Sequence, residues 1–375
     1  MRTARVAHSA ASLLGAMGRE LGSRVRWRQR GLDEFEALLS VLLAIVIAHA
    51  IGATNIGWAA FTGFMVMRTQ LAETLSRGML RLLGTVVGAA MGWALITHVA
   101  DTPVVVALAL LAVGAVTLYA AITRRHSHAW LFTGLTFAMV ALDSLKQPHV
   151  AVHAFALTRV LEVAAGTTAG ILVNLASAWT VRPRIQGAQH LLAGDVDVAP
   201  PGWQKTAATH ALLAGAVLGV LPLLSPLLGA GALVQAAITI MAVMTVPLMA
   251  LEGEGGAVGT RIAHRFAGCA LGALAAAGAL VVSHHHLPLA VGLLCVGVWA
   301  GRHIENSGKS FAYIGTQFAV VLLVVVVPDD IHQIASAPGW ARLSGIVLGI
   351  ALLVPAREAA KWAGRRRRQW SVSDS

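Results

Sequence analysis

Three ionisable residues stand where an apolar chain tolerates them least. Arg159 and Glu162 lie three positions apart in an otherwise hydrophobic run, and Arg342 lies in a second such run. A charge within hydrocarbon is costly, so residues of this kind face a cavity or a partner and are functional candidates. A guanidinium offers a carboxylate a planar fork of donors. A desolvated glutamate is readily held neutral, which suits a proton-coupled cycle. On a helix, Arg159 and Glu162 share a face and can pair, and Gly166 and Gly170 continue that face. The set suits the binding of an organic anion between Arg159, Glu162 and Arg342. It equally suits a static ion pair near the outer mouth of a helix.

A second group of cations, Arg77, Arg81, Arg261 and Arg265, falls at the predicted inner ends of helices. These four could form an electropositive vestibule that gathers anions from the cytoplasm. They could also snorkel to lipid phosphates. The same alternatives apply to Arg124, Arg125 and His126 and to their approximate match, Arg302 and His303. His284, His285 and His286 form a triplet on a predicted outer loop. Adjacent histidines can bind metal, but no carboxylate or cysteine stands nearby. No metal site and no cofactor is expected.

The elements that must position these residues are membrane helices. Hydrophobic residues make up 57% of the 375 and charged ones 12%, a balance foreign to soluble globular chains. A crossing needs roughly 20 apolar residues. On that measure about six segments occur in each half: 36–52, 56–68, 82–99, 103–122, 128–143 and 156–180, then 205–222, 232–251, 264–283, 287–301, 310–327 and 338–356. The segment at 56–68 is short and its counterpart carries Pro247. Interrupted segments at matching places in two repeats point to a binding site, or else to tilted helices with snorkelling ends.

The halves are copies. Arg77, Arg81, Gly84 and Gly88 fall on Arg261, Arg265, Gly268 and Gly272 at an offset of 184. Gly134 and Phe137 match Gly315 and Phe318, and Arg159 and Gly166 match Arg342 and Gly349. Three matches in one order mean a duplicated unit. The expected fold is all-α: about twelve transmembrane helices in two six-helix repeats of the same orientation. With the N-terminus inside, all of the 28 lysines and arginines except Lys146, Arg159 and Arg342 fall on the inner side. That asymmetry predicts a multi-pass inner-membrane protein with both termini cytoplasmic.

The predicted organisation is a basic amphipathic segment (1–32), a first repeat (33–184), a cytoplasmic linker (185–204), a second repeat (205–358) and a basic tail (359–375). The N-terminal segment is read as a helix on the inner membrane surface, with a disordered tail as the alternative, and no cleavable signal peptide is visible. The net charge of +11 then faces anionic membrane lipid and requires no nucleic acid. Cys269 and Cys295 fall in membrane helices as small packing residues. Glycines four apart clear a helix face for close packing: Gly84 and Gly88, Gly166 and Gly170, Gly268 and Gly272, Gly345 and Gly349.

These residues resemble a known family. Trp58, Ala59 and Ala60, a short apolar helix, and then Thr74, Leu75, Arg77, Gly78, Arg81, Gly84, Thr85 and Gly88 look like the signature of the fusaric acid resistance and aromatic acid exporter family. Arg159, Glu162 and Gly166, followed by Arg182 and Pro183, resemble the end of that module. The likeness covers about 30–185 well and 205–358 more weakly. The second copy has Gly345 at the place of Glu162 and lacks the Trp-Ala-Ala start. The resemblance implies an inner-membrane exporter of aromatic carboxylic acids or related toxic organic anions. Longer members carry large cytoplasmic domains, and the sequence reads as a short form without them.

No phosphate-binding Gly-x-x-x-x-Gly-Lys loop, Gly-x-Ser-x-Gly elbow or His-Glu-x-x-His is present. An enzyme is therefore not expected, and transport would draw on an ion gradient or a partner. Two functions remain. One is secondary export of a small organic anion, with self-association or a periplasmic efflux partner open. The other is a non-transporting subunit or scaffold of an envelope complex.

Overall fold

The computed structural model describes residues 2–22, 27–99, 102–145, 149–182, 202–252, 256–284, 286–327 and 337–373. Among them the secondary structure is helical throughout. The first copy supplies α2 (Trp27–Ala50), α3 (Ile56–Val66), α4 (Leu71–His98), α5 (Pro103–Thr123), α6 (Ser127–Asp143) and α7 (His149–Thr180), preceded by α1 (Arg2–Leu21). The second supplies α8 (Trp203–Val220), α9 (Ala230–Met244), the short α10 (Leu248–Glu252), α11 (Gly256–Ser283), α12 (Leu287–Glu305), α13 (Ala312–Val326) and α14 (Ala337–Ser373).

Local sequence accounts for several boundaries. Pro103 and Pro288 sit in the first turns of α5 and α12, where a missing N–H costs nothing. Pro247 follows the end of α9 and separates it from α10. Its counterpart α3 has 11 residues and ends at Val66, before a non-helical stretch from Met67 to Gln70. Among the described residues seven helices are long and apolar enough to cross a membrane: α4, α5, α7 from Val152, α8 with the turn after it, α11, α12 and the Leu343–Ala363 part of α14. α3, α9 and α13 are apolar but shorter. Leu83, Val86 and Val87 on α4 and Leu274, Val281 and Val282 on α11 stand exposed, as lipid-facing residues do.

The chain divides into two compact units, and the division does not follow the sequence repeat. The first comprises Met1–Met79, Leu161–Gly194 and Ala263–Gly339; the second comprises Leu80–Val160, Asp195–Ile262 and Trp340–Ser375. Each draws helices from both copies. In the first unit α2 packs on α3 and α12, and α13 packs on α3 and α12. In the second α8 packs on α9 and α5, and α6 packs on α9 and α5. The two rings are built from complementary parts of the duplicated sequence, exchanged reciprocally. Boundaries between the units fall within α4, α7, α11 and α14.

Glycine permits the closest approaches, at equivalent places. In the first unit a Cβ on Gly268 would lie 2.6 Å from the Ile314 carbonyl oxygen, and one on Gly272 2.6 Å from that of Phe318. In the second unit a Cβ on Gly84 would strike the Ala129 carbonyl, and one on Gly88 would lie 3.0 Å from the Phe137 nitrogen. The last helix of each copy repeats the device. Gly166 of α7 abuts Thr62 and Gly63 of α3, whereas Gly345 and Gly349 of α14 abut Gln235 and Thr239 of α9. Two backbones this close leave no room for a side chain.

The N-terminal segment contributes α1, which presents Leu13, Ala16 and Met17 to Ile304, Phe311 and Ile314 of the first unit. Most of the linker and the loop with Lys146 lie outside the described residues, as does His285. His284 takes a positive φ of 44° just after α11.

Candidate functional site

The first unit gathers charge at the ends of α1, α2, α3, α7 and α12. Arg302, at the end of α12, is buried to 1% exposure. Its Nε lies 3.3 Å from Asp33 Oδ2 and its Nη1 3.3 Å from Glu305 Oε2. Its Nη2 donates to the Met67 carbonyl at 2.9 Å. Arg68 reaches Glu305 Oε1 at 3.4 Å. Arg182 grips Glu36 in a two-pronged bond and also donates to the Arg68 carbonyl. Asn174 donates to that same carbonyl at 2.5 Å and to Thr74 Oγ1 at 3.0 Å. The turn after α3 is thus clamped from α7 and α12. Each of these buried guanidinium groups is answered by a carboxylate, as burial demands.

A second knot adjoins it. His303, also 1% exposed, places Nδ1 2.6 Å from Glu34 Oε1 and Nε2 2.9 Å from the Glu20 carbonyl oxygen. Arg30 donates to Glu20 Oε1 at 2.8 Å and to the His303 carbonyl at 2.7 Å. Lys309 donates to Glu20 Oε2 at 2.6 Å. Hydrogen bonds from Lys309 and then Arg30 hold the Glu20 carboxyl below its usual range, against the opposing effect of burial.

The second unit is built differently at the equivalent places. The turn after α9 presents the Met244 carbonyl to His210 Nε2 at 2.8 Å, where the first unit uses three charged or amide side chains. Arg81, 1% exposed on α4, lays its guanidinium 4.0 Å from the centre of the Phe132 ring. Arg159, 4% exposed, lies 5.0 Å from the centre of the Phe155 ring. Both are cation–π geometries.

The candidates read from sequence distribute over these surroundings. Glu162 lies in the first unit, where its Oε1 accepts the backbone N–H of Asn55 at 3.1 Å, at the N-terminus of α3. A carboxylate is favoured there by the helix dipole. The side chain of Arg342 lies outside the described residues. Arg77 is more than a third exposed and pairs with Glu73 at 3.2 Å. Arg265 is buried and donates to Gln317 Oε1 at 2.5 Å, with Cys269 Sγ 4.0 Å from the same oxygen. Arg261 is half-buried. The residues that sequence reasoning passed over are the acids of the first unit: Asp33, Glu34, Glu36 and Glu305. The Asp-Glu-x-Glu run before the apolar part of α2 and the Arg-His-x-Glu at the end of α12 were the available signal. Each resembles a solvated helix end until the fold brings the two together.

Residues 34–198 match the fusaric acid resistance protein family, and residues 223–356 match a second family described as fusaric acid resistance protein-like. The chain belongs to the fusaric acid resistance family. The family matches follow the two copies, whereas the compact units interleave them. Among curated proteins the chain is similar to "Uncharacterized transporter GOX0755" of Gluconobacter oxydans (strain 621H). The two are 32% identical over 126 residues, which is 31% of this chain and 16% of that protein. The chain therefore spans well under two thirds of that relative's length. No solved structure matches. In this member of the fusaric acid resistance family, the signature residues Gly84 and Gly88 are packing positions, while Arg81 beside them is buried against an aromatic ring.

Proposed function

We propose that the protein is an inner-membrane secondary transporter, exporting aromatic carboxylic acids or related organic anions at the expense of an ion gradient. Family membership and the relative named as a transporter support membrane transport. The observation that carries the substrate class lies in the second unit. Arg81 and Arg159 are buried cations in apolar helices, each beside a phenyl ring. A guanidinium supplies the fork for a carboxylate, and a neighbouring ring supplies the apolar surface for an aromatic body. Arg159 is the group assigned to the substrate carboxylate, with Glu162 on the same helix as its proton-sensitive neighbour. The reading includes about twelve crossings, with α2, α3, α6, α9 and α13 added to the seven long spans, and both termini cytoplasmic.

A scaffold reading finds its support in the first unit, where the buried charges are matched among themselves. The two readings separate in one experiment. A deletion strain is challenged with a panel of aromatic acids and complemented with the parent, Arg159→Lys and Glu162→Gln. Transport predicts that the parent restores tolerance and active efflux, and that Arg159→Lys lowers efflux by about tenfold through loss of the fork. Glu162→Gln should flatten the pH dependence of efflux. Equal complementation by all three at every pH, or sensitivity unchanged by deletion, defeats the assignment.

A further inference from the structure

We propose that His303 and Glu34 share one proton on which the docking of α1 depends. The argument is a count of donors. His303 Nε2 faces the Glu20 carbonyl oxygen at 2.9 Å, and Nδ1 faces Glu34 Oε1 at 2.6 Å. A backbone carbonyl and a carboxylate both only accept. A neutral imidazole carries one N–H, so one of these two contacts would set lone pair against lone pair. Both are satisfied when an extra proton resides in the pair, either as imidazolium with carboxylate or as imidazole with carboxylic acid. The short Nδ1–Oε1 separation is that of a charge-assisted bond. Both side chains are about 1% exposed, so water does not substitute for the missing donor.

The proton joins three helices. Glu20 belongs to α1, Glu34 to α2 and His303 to α12. The groups facing the pair are few. From α2 come Arg30, which donates to the His303 carbonyl, and Asp33, which is held by Arg302 and Asn306. From α12 come Arg302, Glu305 and Trp299, whose indole N–H donates to the Glu34 carboxyl and whose ring centre is 5.4 Å from that of His303. From α1 comes Glu20, whose carboxylate is occupied by Arg30 and by Lys309 of the segment before α13. α13 itself faces α1 with Ile314, an apolar contact. α1 is also held by the packing of Leu13, Ala16 and Met17.

Loss of the proton leaves an ionised Glu34 beside an imidazole with one donor, and one of the His303 bonds fails. The docked form binds a proton that the undocked form releases, so docking weakens as pH rises. The Glu20 ion pairs act in the other direction, failing only in acid. α1 is therefore held most firmly between the two. The device is independent of what the membrane helices carry.

Amide hydrogen exchange of the full-length protein in lipid nanodiscs, corrected for the intrinsic pH dependence of exchange, reads the docking directly. Protection of the amides between Leu13 and Leu21 should fall about tenfold or more as pH rises from about 6 to 9. Glu34→Gln supplies an amide N–H to Nδ1 and leaves the one imidazole N–H for Glu20, so its protection should stay level across that range. His303→Gln, which holds no exchangeable charge, should likewise lose the pH dependence. Protection in the parent that does not change with pH overturns the proposal, as does either variant following the parent's pH profile.

Discussion

The two units share one packing plan and differ in chemistry. Each sets the first two helices of one copy against the fourth and fifth helices of the other, and each uses glycine at the same two helix crossings. Yet the first unit buries a network of carboxylates, guanidinium groups and a histidine, while the second meets the equivalent carbonyl with His210 and sets its buried arginines on phenyl rings. The shared plan keeps what the backbone needs and leaves free what the side chains do. Backbone proximity is unforgiving because a β-carbon has nowhere to go. A buried ion network is replaceable as a whole but not in part, so one unit can lack it entirely while the other keeps every member.

The largest effect expected from this comparison concerns the shared plan. Gly84→Leu in the second unit and Gly268→Leu in the first insert a side chain where even a Cβ meets a carbonyl. Each should cost about 3 kcal/mol or more and sharply reduce the folded protein recovered from membranes. Size-exclusion chromatography of the solubilised protein and its thermal midpoint measure this. Comparable losses support equivalent frameworks. A severe loss for one variant and none for the other breaks the equivalence.

Next in size is the contrast at the turn after the short helix. Arg302→Ala in the first unit leaves Asp33 and Glu305 buried beside a missing cation, and should cost roughly 3–5 kcal/mol. His210→Phe in the second unit removes one hydrogen bond to the Met244 carbonyl, and should cost about 1–2 kcal/mol. Thermal midpoints of the two variants rank them. Equal costs would mean that the charge network of the first unit adds no more than a single bond does.

Much of the plan was legible in the sequence. Hydropathy marked an all-helical membrane chain, and the spacing of Gly84, Gly88, Gly268 and Gly272 marked residues that the structure places at close crossings. The exchange of helices between units was not legible. A repeat offset relates α2 to α8 but says nothing of whether α12 packs on the one or the other. The site was read least well. Arg302 and His303 drew notice only as a loose match to Arg124 to His126, because their partners Asp33 and Glu34 stand nearly 270 residues away. Arg81 and Arg265 read from sequence as cations at inner helix ends, facing a vestibule or snorkelling to lipid; both are buried in the structure, because their glycine-lined helices approach α6 and α13 closely enough to take the side chains inside.

The smallest expected effect tests the acid limb of the first unit. Glu20 is held ionised by Lys309 and Arg30, so its folded-state carboxyl titrates below its unfolded value. Such a group contributes stability that is present above the unfolded pKa and is lost as pH falls through the folded one. The contribution should therefore be intact at neutral pH and fade below roughly pH 4. Glu20→Gln removes both ion pairs, and because Lys309 is more than half exposed the cost should be only about 1 kcal/mol. The variant should thus melt slightly lower than the parent at neutral pH, and the two should converge as the solution is acidified. A gap between parent and variant that widens in acid would show that the Glu20 pairs do not carry the acid sensitivity, and would leave the packing of Leu13, Ala16 and Met17 as the hold on α1 at low pH.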